Sequence, residues 1–254
     1  MKRSPREGVI AILPIVHVWT IRADRLDEPA VAGWLPILDE TERARAARFV
    51  FSRHRVQFTV AHALVRVALG RLCGVPPAAW RFVSDPHGKP SAWLEDRPAP
   101  VSFNLSHTEG MAGLAIRLGA DWAIGFDLEA LSRTVDLAIA DRFFCPREVA
   151  WLGALPVSAR AEGFLRLWTL KEAFIKATGK GLTQNLAAFS FDPCPPRIGF
   201  TAELLEREVD WWFEQRILEG GFVAAVGLRQ TETLPVETRW TAVDPADLDT
   251  AELH

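Results

Sequence analysis

The sequence has few cysteines and no excess of positive charge, and both shortages exclude classes of protein. Among its 254 residues, the three cysteines lie far apart and form no Cys-x-x-Cys pair: Cys73, Cys145 and Cys194. This pattern suits neither a disulfide framework nor a zinc knuckle, and it favours a reducing, cytoplasmic location. The formal net charge is -3, so the chain has no excess of basic residues of the kind that a nucleic-acid-binding protein shows. A polyanionic partner must therefore meet a local cluster of cations.

Long apolar runs and internal repeats are also missing. The segment "VIAILPIVHVW" follows a basic start and resembles a signal peptide, but it is short, contains Pro14 and has no cleavage site directly after it. We therefore predict a buried first strand there. No stretch reaches the roughly 18 apolar residues that a membrane span requires, so no membrane partner is expected.

Apolar periodicity predicts a chain of mixed strands and helices. Segments such as "IVHVWTI" and "AIGFDLE" are typical of strands, whereas residues 39–74 predict two helices separated by a break, and "AEGFLRLWTLKEAFIKATGKG" predicts one long helix. Residues 136–155 predict two shorter helices divided at Pro146. We also expect a turn at His87–Pro90, a hairpin near Gly220 and a polar corner at "FNLSHTEG" between two strands.

The segment "AIGFDLEA" would place two carboxylates on one face of a strand. Asp127 and Glu129 alternate with apolar residues, and successive side chains of a strand point to opposite faces. Such acids repel each other unless a cation lies between them, because a bound dication is the largest local charge in its site. The structural alternative is a pair of exposed acids on an edge strand.

The long helix adds a third acid and a lysine, since Glu172 and Lys176 lie one turn apart on the same side. On a solvated surface this would be an ordinary ion pair that contributes about 0.3 kcal/mol. The neighbouring residues are strongly apolar, so we expect a largely buried helix whose charges need partners.

Two polar segments are candidate anion sites. In "FNLSHTEG", Ser106 and His107 either cap a turn or bind an anion through hydroxyl, backbone N–H and imidazole groups. In "HGKP", Gly88 permits close approach of a ligand, Lys89 supplies a cation and Pro90 stiffens the turn. The arginines of residues 39–55 are most simply interpreted as a solvated face.

Three carboxylates suit a hard cation such as Mg²⁺, and a lysine with several arginines suits phosphate groups. Together they indicate chemistry on a phosphoester or a pyrophosphate. The paired acids of a glycosidase are an alternative, but they leave the lysine and the cationic turns without a role.

The segments "FNLSH", "IGFDLE" and "WTLKEAFIKATGKGL" resemble, in order and spacing, the signature segments of the surfactin (Sfp) type of the 4′-phosphopantetheinyl transferase superfamily. Further similarity lies in "RFVFSRHR", "HGKP" and "RFFCPRE". This resemblance implies an enzyme, a holo-[acyl-carrier-protein] synthase, which transfers the phosphopantetheine arm of coenzyme A to a serine of an acyl or peptidyl carrier protein. Adenosine 3′,5′-bisphosphate is released.

The resemblance also implies an α+β fold, a pseudo-dimer of two similar α/β subdomains, each with a small, mainly antiparallel sheet packed on a long helix. We predict an N-terminal subdomain at residues 1–120 with the 3′-phosphate and adenine contacts. A C-terminal subdomain at residues 121–235 would hold Mg²⁺ and the pyrophosphate, and residues 236–254 would form a peripheral tail. A cleft complete within one chain implies a monomer.

The resemblance assigns roles to individual residues. It implies that Asp127, Glu129 and Glu172 hold Mg²⁺. Three residues would be catalytic: Glu172 as the base, directly or through a water, Lys176 on the leaving phosphate, and Asp127. The residues expected to contact coenzyme A are Arg45, Arg48, Arg55, Gly88, Lys89, Pro90, Asn104, Ser106, His107, Asp127, Glu172 and Lys176. This chain has His54 and Gln57 where many relatives carry an acid and an arginine, which puts weight on the three arginines.

The carrier is expected to dock on a basic or apolar rim, for which Arg142, Arg147 and Arg166 are candidates. The three cysteines should be catalytically irrelevant. Two other functions stay open at this point, a non-catalytic module that binds coenzyme A or a carrier, and a magnesium-dependent phosphohydrolase.

Overall fold

The structure, a computed structural model, describes residues 14–120, 122–230 and 235–248. The described strands are β1 (Ile15–Arg22), β2 (Trp80–Ser84), β3 (Pro90–Leu94), β4 (Arg97–Pro98), β5 (Val101–Thr108), β6 (Met111–Leu118), β7 (Ile124–Ala130), β8 (Phe189–Pro193), β9 (Pro196–Phe200), β10 (Trp211–Leu218), β11 (Phe222–Arg229) and β12 (Glu237–Ala242). The α-helices are α1 (Glu28–Val31), α2 (Glu40–Ala47), α3 (Ser52–Cys73), α4 (Ala138–Phe143), α5 (Pro146–Ala154) and α6 (Arg160–Thr178). The part of "VIAILPIVHVW" before Pro14 lies outside the described residues.

The first half of the molecule is a four-stranded sheet in the order β12-β1-β6-β5, which packs on α3. Strands β1, β6 and β5 pair antiparallel, and β12 runs parallel to β1. The apolar face of α3 contacts the sheet through residues such as Leu64 and Val67, and the helix ends at Gly74 in the left-handed conformation. The two predicted helices and their break are confirmed.

Helix α3 is long and apolar enough to cross a membrane by length and composition alone, a result that the sequence prediction did not anticipate. Because 67% of its most apolar window is buried inside the protein, it is accounted for as the core helix of this half.

The second half repeats this plan with a three-stranded antiparallel sheet, β10-β11-β7, packed on α6. At Gly125 in β7, an added Cβ would lie 1.9 Å from the carbonyl oxygen of Ala173, so only glycine lets the backbone of α6 approach the strand this closely. Helix α6 ends at Gly179, which has a φ of 71° and donates its N–H to the Ile175 carbonyl. The long helix, the division at Pro146 and the hairpin are confirmed.

The two halves meet where β5 lies beside β7. The side chain of Asn104 in β5 accepts a hydrogen bond of 2.9 Å from the backbone N–H of Phe126 in β7. Around this contact, apolar residues of both sheets form one shared core, which includes Val18, Phe126 and Val226. The structure therefore has the predicted α+β architecture of two similar halves, which share this apolar cluster where they meet.

Two local predictions need correction. Strand β5 continues through Ser106 and His107, which pair in register with Gly113 and Ala112, so the turn comes later, at Gly110 with a φ of 89°. The expected polar corner is wrong, because pairing with β6 satisfies the backbone of this polar stretch. The segment from residue 236 is integrated in the first half as far as it is described. It contributes the edge strand β12, and Leu248 is 0% exposed in the core. The subdomain boundaries stay a prediction.

Candidate functional site

Asp127 and Glu129 lie on the face of β7 that is turned towards α6, the same face as Gly125. They are only 5% and 8% exposed. The alternative of two exposed acids on an edge strand is therefore wrong. The opposite face of the strand carries Ile124, Phe126 and Leu128 into the shared core, which fixes the direction of both carboxylates.

Asp127 accepts hydrogen bonds from one residue of each half. Its Oδ1 accepts a hydrogen bond of 2.7 Å from Nζ of Lys176 in α6 and one of 2.8 Å from Oγ of Ser106 in β5. Lys176 also donates to Ser106 Oγ at 2.9 Å, so the three groups form a closed triangle. The second oxygen of Asp127, Oδ2, is buried and has no hydrogen-bonding partner in the part of the chain that the structure describes.

Glu129 is held separately from this triangle. Its carboxylate accepts hydrogen bonds from the Arg133 guanidinium and, at 3.2 Å, from Oγ1 of Thr108. Burial raises the pKa of Glu129, and the nearby Asp127 charge adds to this effect while Arg133 opposes it.

Among the acids of the site, Glu172 has the most strongly shifted pKa. Burial and the charge of Asp127 raise its pKa to about 7, although Lys176 acts in the opposite direction. No hydrogen bond to its carboxylate occurs within the described residues. Lys176 is turned to Asp127, so the ordinary helix-surface pair of Glu172 and Lys176 is not formed.

The three acids offer the oxygen donors that a divalent cation needs, but their side chains are not grouped as metal ligands. No group of three His, Cys, Asp or Glu side chains within residues 14–120, 122–230 and 235–248 is spaced to hold a metal ion. The chemistry nevertheless fits, because oxygen donors suit Mg²⁺ and Asp127 Oδ2 is a buried acceptor in need of a partner. The mutual repulsion that raises the pKa of Glu172 would be relieved by a dication.

Two adjoining cavities connect this cluster to the first half. The smaller, of about 300 Å³, is lined by Glu172 and Lys176. The larger, of about 670 Å³, is lined by Arg45 and His107. Both cavities are also lined by four residues of the first half: Gly88, Pro90, Asn104 and Leu105. The predicted residues of the "HGKP" turn and of β5 therefore lie between the acid cluster and the part of the larger cavity that Arg45 and His107 line. We call that part the cationic end of the cleft.

Lys89 lines the smaller cavity, and its ammonium group is bonded to backbone carbonyl groups. Its Nζ donates to the carbonyl oxygens of Lys176 at 2.8 Å, Ile124 at 3.2 Å and Ala177 at 3.3 Å. Burial lowers the pKa of this ammonium group. Lys89 thus connects the turn of the first half to the end of α6.

The remaining cations separate into those that reach the cavities and those that do not. Arg55 pairs with Glu28 at 2.5 Å and donates to the Phe49 carbonyl, and Arg48 is exposed at the end of α2. Neither lines the cavities described above, whereas Arg45 does. His107 lines the larger cavity, and desolvation and the charge of Lys176 lower its pKa. Ser106, in contrast, faces the acid cluster.

His54 and Gln57 lie at a third cavity, of about 620 Å³, on the far side of Arg45 and His107. All three rim candidates are paired or stacked within the second half. Arg147 bonds to Asp192 at 2.5 Å, and Arg142 lies 5.2 Å over the Phe143 ring. The third, Arg166, lies 3.9 Å from Glu162.

The larger cavity is also lined by three residues that the sequence patterns did not indicate as site residues: Phe58, His62 and Glu42. Phe58 and His62 are four residues apart on α3, and Glu42 and Arg45 are three apart on α2. This spacing places each pair on one helix face and was the available signal.

Comparison with known proteins gives a consistent result. Residues 123–226 match the family described as "4′-phosphopantetheinyl transferase superfamily", and residues 28–118 match "4′-phosphopantetheinyl transferase, N-terminal". The chain is 39% identical over 170 residues to the 4′-phosphopantetheinyl transferase HetI of Nostoc sp., which covers 66% of this chain and 70% of HetI. It is 33% identical over 156 residues to psf-1 of Bacillus pumilus (61% and 64% covered) and 29% identical over 176 residues to Sfp of Bacillus subtilis (69% and 75% covered).

Proposed function

We propose that this chain, which belongs to the 4′-phosphopantetheinyl transferase superfamily and to its Sfp type, binds coenzyme A and Mg²⁺ in the cleft between its two halves. The protein is an enzyme that transfers phosphopantetheine to carrier proteins. The observation that supports the position of the site is the cluster of the buried Asp127 with the half-buried Glu172 and Lys176, because Glu172 and Lys176 line the cavity that adjoins the cationic end of the cleft.

The metal would be held by Asp127 and Glu172, with Glu129 as a third ligand once it leaves Arg133. When bound there, Mg²⁺ would withdraw negative charge from the pyrophosphate of coenzyme A. The unpartnered Oδ2 of Asp127 and the raised pKa of Glu172 support this assignment.

Lys176 is placed to stabilise the leaving group. Lys176 lines the smaller cavity, and its ammonium group is held by Asp127 and Ser106. From there it would bind a pyrophosphate oxygen and stabilise the charge that develops on adenosine 3′,5′-bisphosphate.

Glu172 is the candidate base. Without metal, burial and the charge of Asp127 raise its pKa to about 7; a bound cation would lower this basicity, so the assignment rests on the position of Glu172 at the cavity beside Lys176. It would take the hydroxyl proton of the carrier serine, directly or through a water, as that oxygen attacks phosphorus. The protein itself needs no nucleophile, so the three free cysteines have no role in the reaction.

The remaining part of coenzyme A would lie along the larger cavity. Gly88, Pro90 and Asn104 would contact the adenine end, and Arg45 and His107 the 3′-phosphate. We further propose that the protein acts as a cytoplasmic monomer, without nucleic-acid or membrane partners. The support is that Ser106 of one half and Lys176 of the other already meet within a single chain.

The test is to incubate the protein with coenzyme A, Mg²⁺ and an apo-carrier and to weigh the carrier by mass spectrometry. We expect a gain of one phosphopantetheine mass. A carrier whose serine is replaced by alanine is the control. Release of nucleotide without modification of the carrier would indicate a phosphohydrolase, and binding without either product would indicate a non-catalytic module. Acyl and peptidyl carriers are tested side by side, since the sequence left both open.

A further inference from the structure

Phe58 and His62 form a stacked pair on the wall of the larger cavity. Their ring centroids are 4.0 Å apart with an interplanar angle of 27°. The guanidinium carbon of Arg45 lies 5.3 Å from the centre of the Phe58 ring. One aromatic ring therefore contacts two nitrogen-bearing groups that can both carry positive charge, which limits the side-chain freedom of both.

Glu42 fixes the orientation of the His62 ring. Its Oε1 lies 2.7 Å from Nδ1 of His62, and its Oε2 accepts hydrogen bonds from Arg66 Nε at 2.8 Å and from the Asp39 backbone N–H at 2.9 Å. Burial alone would raise the pKa of Glu42, but the His62 hydrogen bond and the Arg66 charge outweigh it and hold the pKa below its usual value. An ionised Glu42 accepts the Nδ1 proton, so His62 is held in one orientation.

The other ring nitrogen of His62 is left for a ligand. No hydrogen bond to Nε2 occurs within the described residues, and the side chain is 25% exposed at the cavity wall. A histidine whose Nδ1 is fixed by a carboxylate keeps Nε2 as its one adjustable contact. Nε2 donates when the ring carries both protons, as it would between the Glu42 carboxylate and a bound anion, so the geometry presents a directed donor to an anionic ligand.

Arg45, His62 and His107 line this one cavity from three positions. Desolvation lowers the pKa of His107, and the charges of Lys176, His62 and Arg45 add to this effect, whereas the charge of Asp127 opposes it. Of the three acids on the same wall, Asp39 pairs with Arg66 at 2.9 Å, Glu42 is held as described, and Glu40 is exposed to solvent at the start of α2. Two of the three negative charges are therefore compensated, and the cluster of Arg45, His62 and His107 suits a doubly charged anion.

We propose that His62 determines specificity for the terminal 3′-phosphate of coenzyme A, with Nε2 donating to the phosphate beside Arg45 and His107. This inference rests on the proposed function. The ligand chemistry is a phosphomonoester, which carries close to two negative charges at neutral pH and three acceptor oxygens. The pyrophosphate is assigned to the other cavity, where Lys176 lies.

The experiment compares two donors that differ only in the 3′-phosphate, coenzyme A and 3′-dephospho-coenzyme A. The variant His62→Asn removes the Nε2 donor but keeps an amide that can bond to Glu42. Because one hydrogen bond to a charged group contributes about 1.5–3 kcal/mol, we expect KM for coenzyme A to rise at least about tenfold. We expect kcat and the KM for the dephospho donor to change less than about twofold. His54→Asn, on the same helix but outside this cavity, is the matched control.

A second measurement does not depend on transfer. Calorimetry with adenosine 3′,5′-bisphosphate and with adenosine 5′-monophosphate should show that His62→Asn weakens binding of the bisphosphate and leaves binding of the monophosphate unchanged. An equal loss for both nucleotides, or for both donors, would show that His62 merely supports the wall and would overturn the inference. A wild-type protein that binds the bisphosphate preferentially but never modifies a carrier would contradict the proposed function alone. If His62→Asn melts early, His62→Ala, which also lacks the Nε2 donor, replaces it in both measurements with the same criteria.

Discussion

Nζ of Lys176 lies 2.7 Å from Oδ1 of Asp127, on a different element of the second half, and not against Glu172 on its own helix. Both Lys176 and Asp127 also bond to Ser106 of the first half. The spacing in the sequence predicted repulsion between Asp127 and Glu129 as the main effect at this face. The structure adds an attraction, so removal of Asp127 would leave a lysine unpaired beside the remaining acids.

We therefore predict that Asp127→Asn lowers both activity and stability. Transfer should fall below a tenth of the wild-type rate at saturating Mg²⁺, because a ligand of the cation is lost. The free energy of unfolding without metal should fall by about 1–2 kcal/mol, since the charged partner of Lys176 is lost. Urea denaturation measures this, with the exposed Asp141→Asn as control. An increase in stability would instead favour repulsion as the dominant effect.

Glu172 should make the metal-free protein less stable as the pH rises. Its folded pKa of about 7 lies above its ordinary value of 4.5, so in between the folded protein keeps a proton that the unfolded chain has released. The stabilising contribution is complete below pH 4.5 and is lost as the pH rises through 7. Its size is at most about 3 kcal/mol.

This is tested by measuring the free energy of unfolding of wild type and Glu172→Gln without metal from pH 4 to pH 8. The difference between the two proteins cancels the effect of histidine titration, which is common to both. The wild-type excess in stability should shrink with rising pH. Glu109→Gln, at an exposed turn, should give a flat difference. A flat difference for Glu172→Gln as well would show that this carboxyl titrates normally.

Lys176→Ala and Glu172→Gln should separate binding from chemistry. Loss of the lysine should slow transfer by roughly two to four orders of magnitude and also weaken coenzyme A binding, because a cation near phosphate is lost. Glu172→Gln should bind coenzyme A with little loss while turnover collapses. Calorimetry with and without Mg²⁺ and carrier mass spectrometry provide the two readouts. Normal transfer by Glu172→Gln would exclude it as the base.

Gly125→Ala should disturb the site from beneath. The new Cβ would lie 1.9 Å from the Ala173 carbonyl oxygen and 2.5 Å from the Ala177 nitrogen, both backbone atoms of α6, so the helix must move away from β7. We expect a loss of at least about 3 kcal/mol in unfolding free energy. Gly153→Ala in α5 is the matched control, because nothing lies within 4 Å of its new Cβ and alanine favours the helix. Equal effects of the two substitutions would contradict the close approach.

Periodicity was sufficient to predict the long helices, their glycine ends and the hairpin, because these features depend on local sequence. The position of Lys89 was not predictable in this way. A lysine in a turn has the same local pattern whether it binds a phosphate or, as here, three carbonyl groups of a distant helix and strand. Ser106 is a similar case, since its partners come from β7 and α6.

The residues at the cationic end of the cleft could not be distinguished by local sequence either. Arg45, Arg48 and Arg55 were equivalent candidates in sequence, and only packing shows that Arg55 is paired with Glu28 while Arg45 lines the cavity. His62 was hidden within an apolar helix pattern, because its partner Glu42 lies on another helix. The acids Asp127, Glu129 and Glu172 were identifiable because their residue type contradicts the buried pattern around them.

Strand β12 pairs in parallel with β1, and this places residues 122–230 between two strands of one sheet. In topological terms, the second half is an insertion with both of its ends anchored on the first half, and not a unit joined in tandem. Two covalent crossings restrict twisting of the halves about each other more than a single linker would. Exchange of the second half between relatives should therefore replace this internal stretch and keep β12 with the first half, whose sheet it completes.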